Sequence, residues 1–241
     1  MRLVHSIIFY FIAVVTFLVG TLITLPFALF SKQRHRPFQF SARVWARLLI
    51  FCSGSRMKVS GISHFPREGG LIIASNHQGA FDILILLASM PVYFRFVAKS
   101  ELFGVPFLGW YMSLAGYVPI ERNIGSSAHR TISGFSEVLD RGDNILIFPE
   151  GTRSRDGSLG PFKRGSLMAA YNSGATVIPV AISGSYEMMP KKSVLIKRVP
   201  IKVNIGRPVS FKEHRDRKIS REEYESELSK LHGMIETLLK G

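Results

Sequence analysis

The chain has one cysteine, Cys52, in 241 residues. That excludes an intramolecular disulfide framework and any cysteine-rich zinc site. Such a fold needs no oxidising compartment. Acidic residues are also scarce: 17 Asp+Glu stand against 31 Lys+Arg, for a formal net charge of +14. A surplus of this size points to an anionic partner, whether nucleic acid, a membrane surface or a phosphorylated substrate. No zinc finger, RNP-like block or clear helix-turn-helix is present, so nucleic acid is not the expected partner. His and Glu show no metal-ligand spacing, and no metal is expected. Internal repeats and low-complexity linkers are absent, which leaves room for one core of ordinary size.

Charge is missing altogether from Leu3 to Phe30, which contains no Lys, Arg, Asp or Glu. Leu3–Leu25 alone is 23 residues, or about 34 Å as a helix against a hydrocarbon core of about 30 Å. The apolar region of a signal peptide runs only about 7–15 residues, so an uncleaved anchor is the better reading. Pro26 is expected to interrupt the helix. The run is followed by Lys32, Arg34, Arg36, Arg43 and Arg47, a basic flank that favours the cytoplasmic side whether the run spans the bilayer or stays in one leaflet. Phe40, Val44, Leu48 and Phe51 recur at helical spacing, with Trp45 and Leu49 beside them. This predicts an interfacial amphipathic helix whose arginines snorkel to headgroups, or else a core helix. A second basic cluster, Lys191, Lys192, Lys197, Arg198 and Lys202, suits an anionic leaflet. We divide the chain into a membrane-associated helical segment at 1–54 and an α/β domain at 55–241.

The body alternates strands and helices. Gly70–Ser75 and Ile145–Phe148 are short continuous apolar runs, as in strands buried on both faces. Further strands are predicted at Tyr93–Ala98, Tyr117–Ile120, Thr176–Ile182 and Ile201–Ile205. Helices are predicted from Asp82 towards Pro91, over Ser126–Leu139, and over Arg164–Asn172 with Gly174 as its stop. Ser220 and Glu223 form a capping box ahead of a last helix with Tyr224, Leu228, Leu231, Ile235 and Leu238 on one face. The expected fold class is therefore α/β: a mixed, mostly parallel sheet flanked by helices, behind an N-terminal membrane-anchoring segment.

Four polar blocks follow predicted strands, where α/β sheets place their sites. The first is Asn76-His77-Gln78-Gly79-Ala80-Phe81-Asp82. On a regular helix His77 and Asp82 would lie about 140° apart, so they meet only if the chain turns between them, as Gly79 permits. A carboxylate on one imidazole nitrogen leaves the other free as a base. The other blocks are Gly116–Arg122, Phe148-Pro149-Glu150-Gly151-Thr152-Arg153-Ser154, and Val177-Ile178-Pro179-Val180. Arg122 and Arg153, at strand ends, suit a phosphate because guanidinium grips two oxygens at once. There is no Gly-x-Ser-x-Gly elbow for an acyl-serine, and Cys52 lies far from the blocks. Gly160–Ser166 only imitates a P-loop; Lys163 and Arg164 within it are expected to touch headgroups.

Taken together and in this order, the blocks resemble the glycerolipid acyltransferase family, in particular its bacterial-type 1-acyl-sn-glycerol-3-phosphate (lysophosphatidate) acyltransferases. The likeness covers about residues 55–210. Gly79 stands where the family often has Ser, and Pro119 where Phe is common. The resemblance implies transfer of a fatty acyl group from an acyl thioester to the sn-2 hydroxyl of lysophosphatidate, giving phosphatidate. It implies His77 as general base, oriented by Asp82, and direct transfer with no cofactor beyond the donor, acyl-coenzyme A or acyl carrier protein. Lys99, Arg122, Glu150, Gly151, Thr152 and Arg153 become the substrate-binding set, with Glu150 organising its block by pairing an arginine. Membrane lipids are the remaining partner, and the inner membrane of a bacterium, cytoplasmic face, is the expected place. Another acceptor, such as glycerol-3-phosphate or a lyso-aminolipid, stays open, as does a non-catalytic lipid-binding protein.

Overall fold

The computed structural model describes residues 1–66, 69–120, 135–214 and 219–241. Eight strands form one mixed sheet: β1 (Met57–Ser60), β2 (Leu71–Ser75), β3 (Phe94–Lys99), β4 (Val118–Ile120), β5 (Asn144–Ile147), β6 (Thr176–Ser183), β7 (Ile201–Ile205) and β8 (Val209–Ser210). Their order is β1-β7-β6-β2-β5-β3-β4, with β8 also paired to β6. Only the β6–β7 and β6–β8 pairs are antiparallel; β1–β7, β2–β6, β2–β5, β3–β5 and β3–β4 run parallel. This is the mixed, mostly parallel α/β architecture that the sequence predicts. The edge strand β1 and the two-residue β8 were not among the predicted strands. β1 alternates half-buried and exposed residues, the period-two pattern of an edge with one wet face.

Both faces of the sheet are covered, which explains the uniformly apolar central strands. Ile73, Ile178, Val180 and Ile182 point into one hydrophobic cluster, and Ile72, Ala74, Val177 and Ala181 into the other. Each of these isoleucines and valines contributes about 1.5–3 kcal/mol through burial. The first cluster is closed by α1 (Arg2–Phe30), α2 (His35–Cys52), α3 (Asp82–Ser89) and α4 (Leu108–Leu114). The second is closed by the helical residues 135–140, by α5 (Met168–Ser173) and by α7 (Arg221–Lys240). A single-turn helix, α6 (Ser185–Met188), follows β6. Gly174 ends α5 at φ 66°, and the Ser220 hydroxyl accepts the Glu223 N–H at 3.1 Å to open α7. Most of the predicted helix 126–139 lies outside the described residues.

Three expectations need correction. Pro26 does not interrupt α1, which continues to Phe30. So near the C-terminus the missing proline N–H removes one intrahelical bond and leaves the last turn able to close. Arg43 and Arg47 do not reach towards headgroups. Arg43 Nη2 donates to Val92 O at 2.5 Å and Arg47 Nε to Ala88 O at 3.1 Å. They satisfy carbonyls at and beyond the C-terminal end of α3, which have no partner within that helix. Arg164 turns away as well and pairs with Glu225 at 3.1 Å.

α1 is long and apolar enough to cross a membrane and is largely uncovered by the rest of the chain. Its N-terminal half is nonetheless sewn to the body. Ser6 Oγ accepts the Ile196 N–H at 3.0 Å, Tyr10 OH donates to Val194 O at 2.8 Å, and Phe9 packs against Phe81. On α2 the stripe Phe40, Val44, Leu48 and Phe51 faces outward, while Phe38, Ala42, Ala46 and Leu49 face the core. The two helices therefore share one hydrophobic cluster with the sheet while presenting an apolar outer surface, and the chain is membrane-associated.

Candidate active site

Strand register assembles the site. β2 and β5 are parallel neighbours, with Ala74 opposite Ile147. Continuing that register sets His77 beside Glu150 just beyond the sheet. β5 also pairs with β3, and β3 with β4, where Lys99 lies opposite Ile120. Three of the blocks thus emerge along one carboxyl edge, the usual site crevice of an open α/β sheet. Arg122, two residues past β4, lies outside the described residues.

At the centre, His77 Nδ1 lies 2.7 Å from Asp82 Oδ2. That oxygen also accepts the backbone N–H groups of Gln78 at 2.7 Å and Gly79 at 2.9 Å. Asp82 is 0% exposed and is the first residue of α3, where the helix dipole favours a negative charge. With an acceptor at Nδ1, the proton of a neutral imidazole resides there and Nε2 keeps its lone pair. The imidazole stacks on Phe148, ring centroids 4.0 Å apart and planes 13° off parallel, so its orientation is set from two sides.

The turn that brings His77 back to Asp82 depends on Gly79. A Cβ there would stand 2.2 Å from Ser185 O, so the loop and α6 approach too closely for any side chain. The Ser frequent in the family at this position does not fit this backbone. Asn76 ties the loop to β6 from the other side: its amide donates to Ile182 O at 2.9 Å and its oxygen accepts Ile182 N–H at 2.7 Å.

Glu150 organises its block, though not through an arginine among the described residues. Oε1 accepts His77 N–H at 2.7 Å and Oε2 accepts Gly160 N–H at 2.9 Å. The carboxylate thereby staples three loops together. Burial pushes its carboxyl above the usual range, opposed by those two hydrogen bonds. It is an internal brace rather than a surface on which a substrate rests.

Arg153 is half-buried and makes no hydrogen bond or ion pair among the described residues. Its charge is available to an anion. Ser154 N donates to His77 O at 2.7 Å, which couples the Arg153 loop to the His77 loop. Gly151 has φ 66°, and the Lys163 side chain lies across it within 3 Å of where a Cβ would be. Lys191 Nζ approaches Thr152 Oγ1 at 3.4 Å. Lys99, at the end of β3, pairs with Glu101 at 2.6 Å on the exposed side. The resulting rim is cationic: Lys99, Arg153, Lys163 and Lys191. Lys163 and Lys191 were expected at headgroups and not at this loop. Nothing in their local sequence marks them, because their positions depend on how distant loops pack. Asn76 and Phe148 lay within the motifs and were passed over. A mixed polar and apolar cavity of about 400 Å³ beside Gln78, lined also by Leu159, Glu187, His232 and Glu236, opens towards α7 and does not include His77 or Arg153.

Comparison with known proteins identifies the family. The family model described as Acyltransferase matches residues 56–183. Chloroplastic 1-acyl-sn-glycerol-3-phosphate acyltransferase LPAT1 of Arabidopsis thaliana is 34% identical over 187 residues, covering 76% of this chain and 52% of that protein. A bacterial 1-acyl-sn-glycerol-3-phosphate acyltransferase, from Borreliella burgdorferi, is 28% identical over 164 residues, 68% of this chain and 65% of its own length. The chain spans about half the length of the plant relatives it matches. Among solved structures, the 1-acyl-sn-glycerophosphate acyltransferase PlsC from Thermotoga maritima superposes with a TM-score of 0.82 at 26% identity, covering 100% of this chain and 94% of that one.

Proposed function

The chain belongs to the acyltransferase family, and on that premise we propose that it acylates the sn-2 hydroxyl of lysophosphatidate from an acyl thioester, giving phosphatidate. The names of its relatives support the reaction. The observation that carries it is the His77–Asp82 pair, with Nδ1 engaged at 2.7 Å and Nε2 left as the base.

In this reading His77 Nε2 takes the proton of the acceptor hydroxyl as its oxygen attacks the thioester carbonyl. The C–O bond forms, the carbonyl electrons move to oxygen, and their return expels the thiolate. The proton on His77 passes to the leaving sulfur. Buried Asp82 stabilises the imidazolium that exists between these two transfers. Arg122 and Arg153 hold the acceptor phosphate, with Lys99 as a third cation. Glu150, Gly151 and Thr152 shape the loop that presents Arg153. Coenzyme A and acyl carrier protein are both anionic thioester carriers that suit the cationic rim. The basic flank after α1 favours a cytoplasmic active face, as on a bacterial inner membrane.

The test is phosphatidate formation by the full chain in vesicles, supplied with lysophosphatidate and either donor, beside His77→Ala. Native turnover with at least about a hundredfold loss in the variant is expected, the usual scale of a general base. Turnover by His77→Ala near the native rate would overturn the mechanism. A panel of glycerol-3-phosphate and lyso-aminolipid acceptors checks the acceptor.

A further inference from the structure

Exposed apolar side chains are unevenly spread over the molecule. Beyond residue 52, seven large ones are exposed among the described residues, and five of these fall between Leu102 and Leu114. They are Leu102, Val105, Phe107, Trp110 and Leu114, the aromatic pair at 60% and 65% exposure. Residues 100–115 carry a single charge, Glu101, in a chain with 48 Lys, Arg, Asp and Glu. A patch of this composition on a water-facing surface marks an interaction site.

Its backbone points the same way. Phe107 is the one non-glycine with a positive φ among the described residues, at 62°. A bulky residue held there costs free energy in any surroundings. The conformation turns the ring outward, where it meets Trp110 edge to face at 5.4 Å. In water an outward ring returns nothing for that strain; at a membrane interface it does, because aromatic rings favour the headgroup level.

The patch also adjoins a surface already read as membrane-facing. The inner side of α4 is Tyr111, whose ring lies 5.0 Å from Phe17 of α1 and 5.4 Å from Phe38 of α2. Gln39 of α2 donates to Ala115 O at 3.1 Å. Val194, another of the seven, is held by Tyr10 of α1.

We propose that residues 102–114 insert into the membrane interface beside α1, as a second, aromatic contact that sets Lys99 at headgroup depth. This rests on the membrane association of α1 and α2 and not on the reaction proposed above, so the test uses no turnover. The full chain is reconstituted in phosphatidylcholine–phosphatidylglycerol vesicles with brominated acyl chains, and its tryptophan emission is followed. The chain has two tryptophans. Trp45 is half-buried and donates to Ala13 O and Thr16 Oγ1, a fixed background. Trp110→Phe alters an exposed ring and leaves the fold intact. The variant is expected to lose about half or more of the emission that brominated lipid quenches, as for an indole at the interface. Iodide in the water should quench the two proteins alike. Equal bromolipid quenching of both proteins would overturn the proposal, and so would Trp110 emission quenched by iodide. Protection of Trp110 from both quenchers, as in a contact with a second copy of the chain, would overturn it too.

Discussion

Asp82→Asn separates two roles that Asp82 combines. All three N–H donors converge on one carboxylate oxygen, Oδ2, while Oδ1 is buried with no hydrogen-bond partner among the described residues. An asparagine can therefore place its carbonyl oxygen where Oδ2 lies and its amide where Oδ1 lies. The Gln78 and Gly79 N–H groups keep their acceptor, the loop keeps its shape, and Nδ1–H of His77 keeps its partner. The charge is lost, and an amide NH2 replaces the buried, unpartnered Oδ1. A hydrogen bond to a charged group is worth about 1.5–3 kcal/mol against about 1 for a neutral one, a difference of about 0.5–2 kcal/mol. The upper bound is the attraction of two unit charges about 4 Å apart at an effective dielectric near 20, about 4 kcal/mol. At 1.36 kcal/mol per decade, kcat should fall by between about 2-fold and about 1,000-fold. Thermal stability should fall by about 1–3 kcal/mol, because the new amide N–H groups take the buried place of Oδ1, which has no acceptor beside it among the described residues. Asp82→Ala should lose more stability, because it strands the Gln78 and Gly79 backbone donors at about 1–3 kcal/mol each and adds this to the rate loss. Acyl transfer in vesicles and thermal unfolding of both variants make the comparison. Full activity in Asp82→Asn would refute the electrostatic role. A stability loss equal to that of Asp82→Ala would refute the account of the three donors.

Because Arg153 has no partner among the described residues, Arg153→Ala should leave folding nearly unchanged and raise the acceptor KM by about tenfold or more, the scale of a charge-assisted hydrogen bond; an unchanged acceptor KM and rate would remove it from the phosphate site. Gly79→Ala drives a Cβ to 2.2 Å from Ser185 O, so it should cost about 1–3 kcal/mol in thermal unfolding and displace the His77 loop, with a matching fall in turnover; native stability would show that the close approach is not required. Burial raises the Glu150 carboxyl, so the folded state binds its proton more tightly than the unfolded state does. Its contribution to stability therefore grows as pH falls through the folded value towards about 4.3, the ordinary glutamate range, and is lost as pH rises. Native protein should gain on Glu150→Gln as the buffer is acidified from about pH 8 to about pH 5, and a parallel pair of unfolding curves would contradict this.

Much of the architecture was legible in residue order because it depends on local periodicity. Continuous apolar runs marked β2 and β5 as strands covered on both faces, and the two hydrophobic clusters are those coverings. Gly174 and Ser220 act where turn and cap chemistry put them. The uncharged run Leu3–Phe30 lies in one long helix with an open apolar surface. Strand β1 escaped because four residues of alternation are too short a signal. Pro26 misled because a proline weighs less near a helix end than within it. The arginines of α2 misled because a basic residue on an amphipathic helix looks the same whether it meets a headgroup or a neighbouring carbonyl.

Residue types and short spacings therefore settled the fold class, the apolar amino-terminal helix and the chemistry on offer, since helix, strand and turn preferences act over a few residues. Long-range packing assigned the partners. Register between β2 and β5 set Glu150 on the His77 backbone, 73 residues away; convergence of three donors on Oδ2 fixed the imidazole; and loop packing brought Lys163 to Gly151 and Lys191 to Thr152, 39 residues away. Those contacts join groups distant in the chain, and no local pattern encodes them because their energies exist only once the sheet has closed.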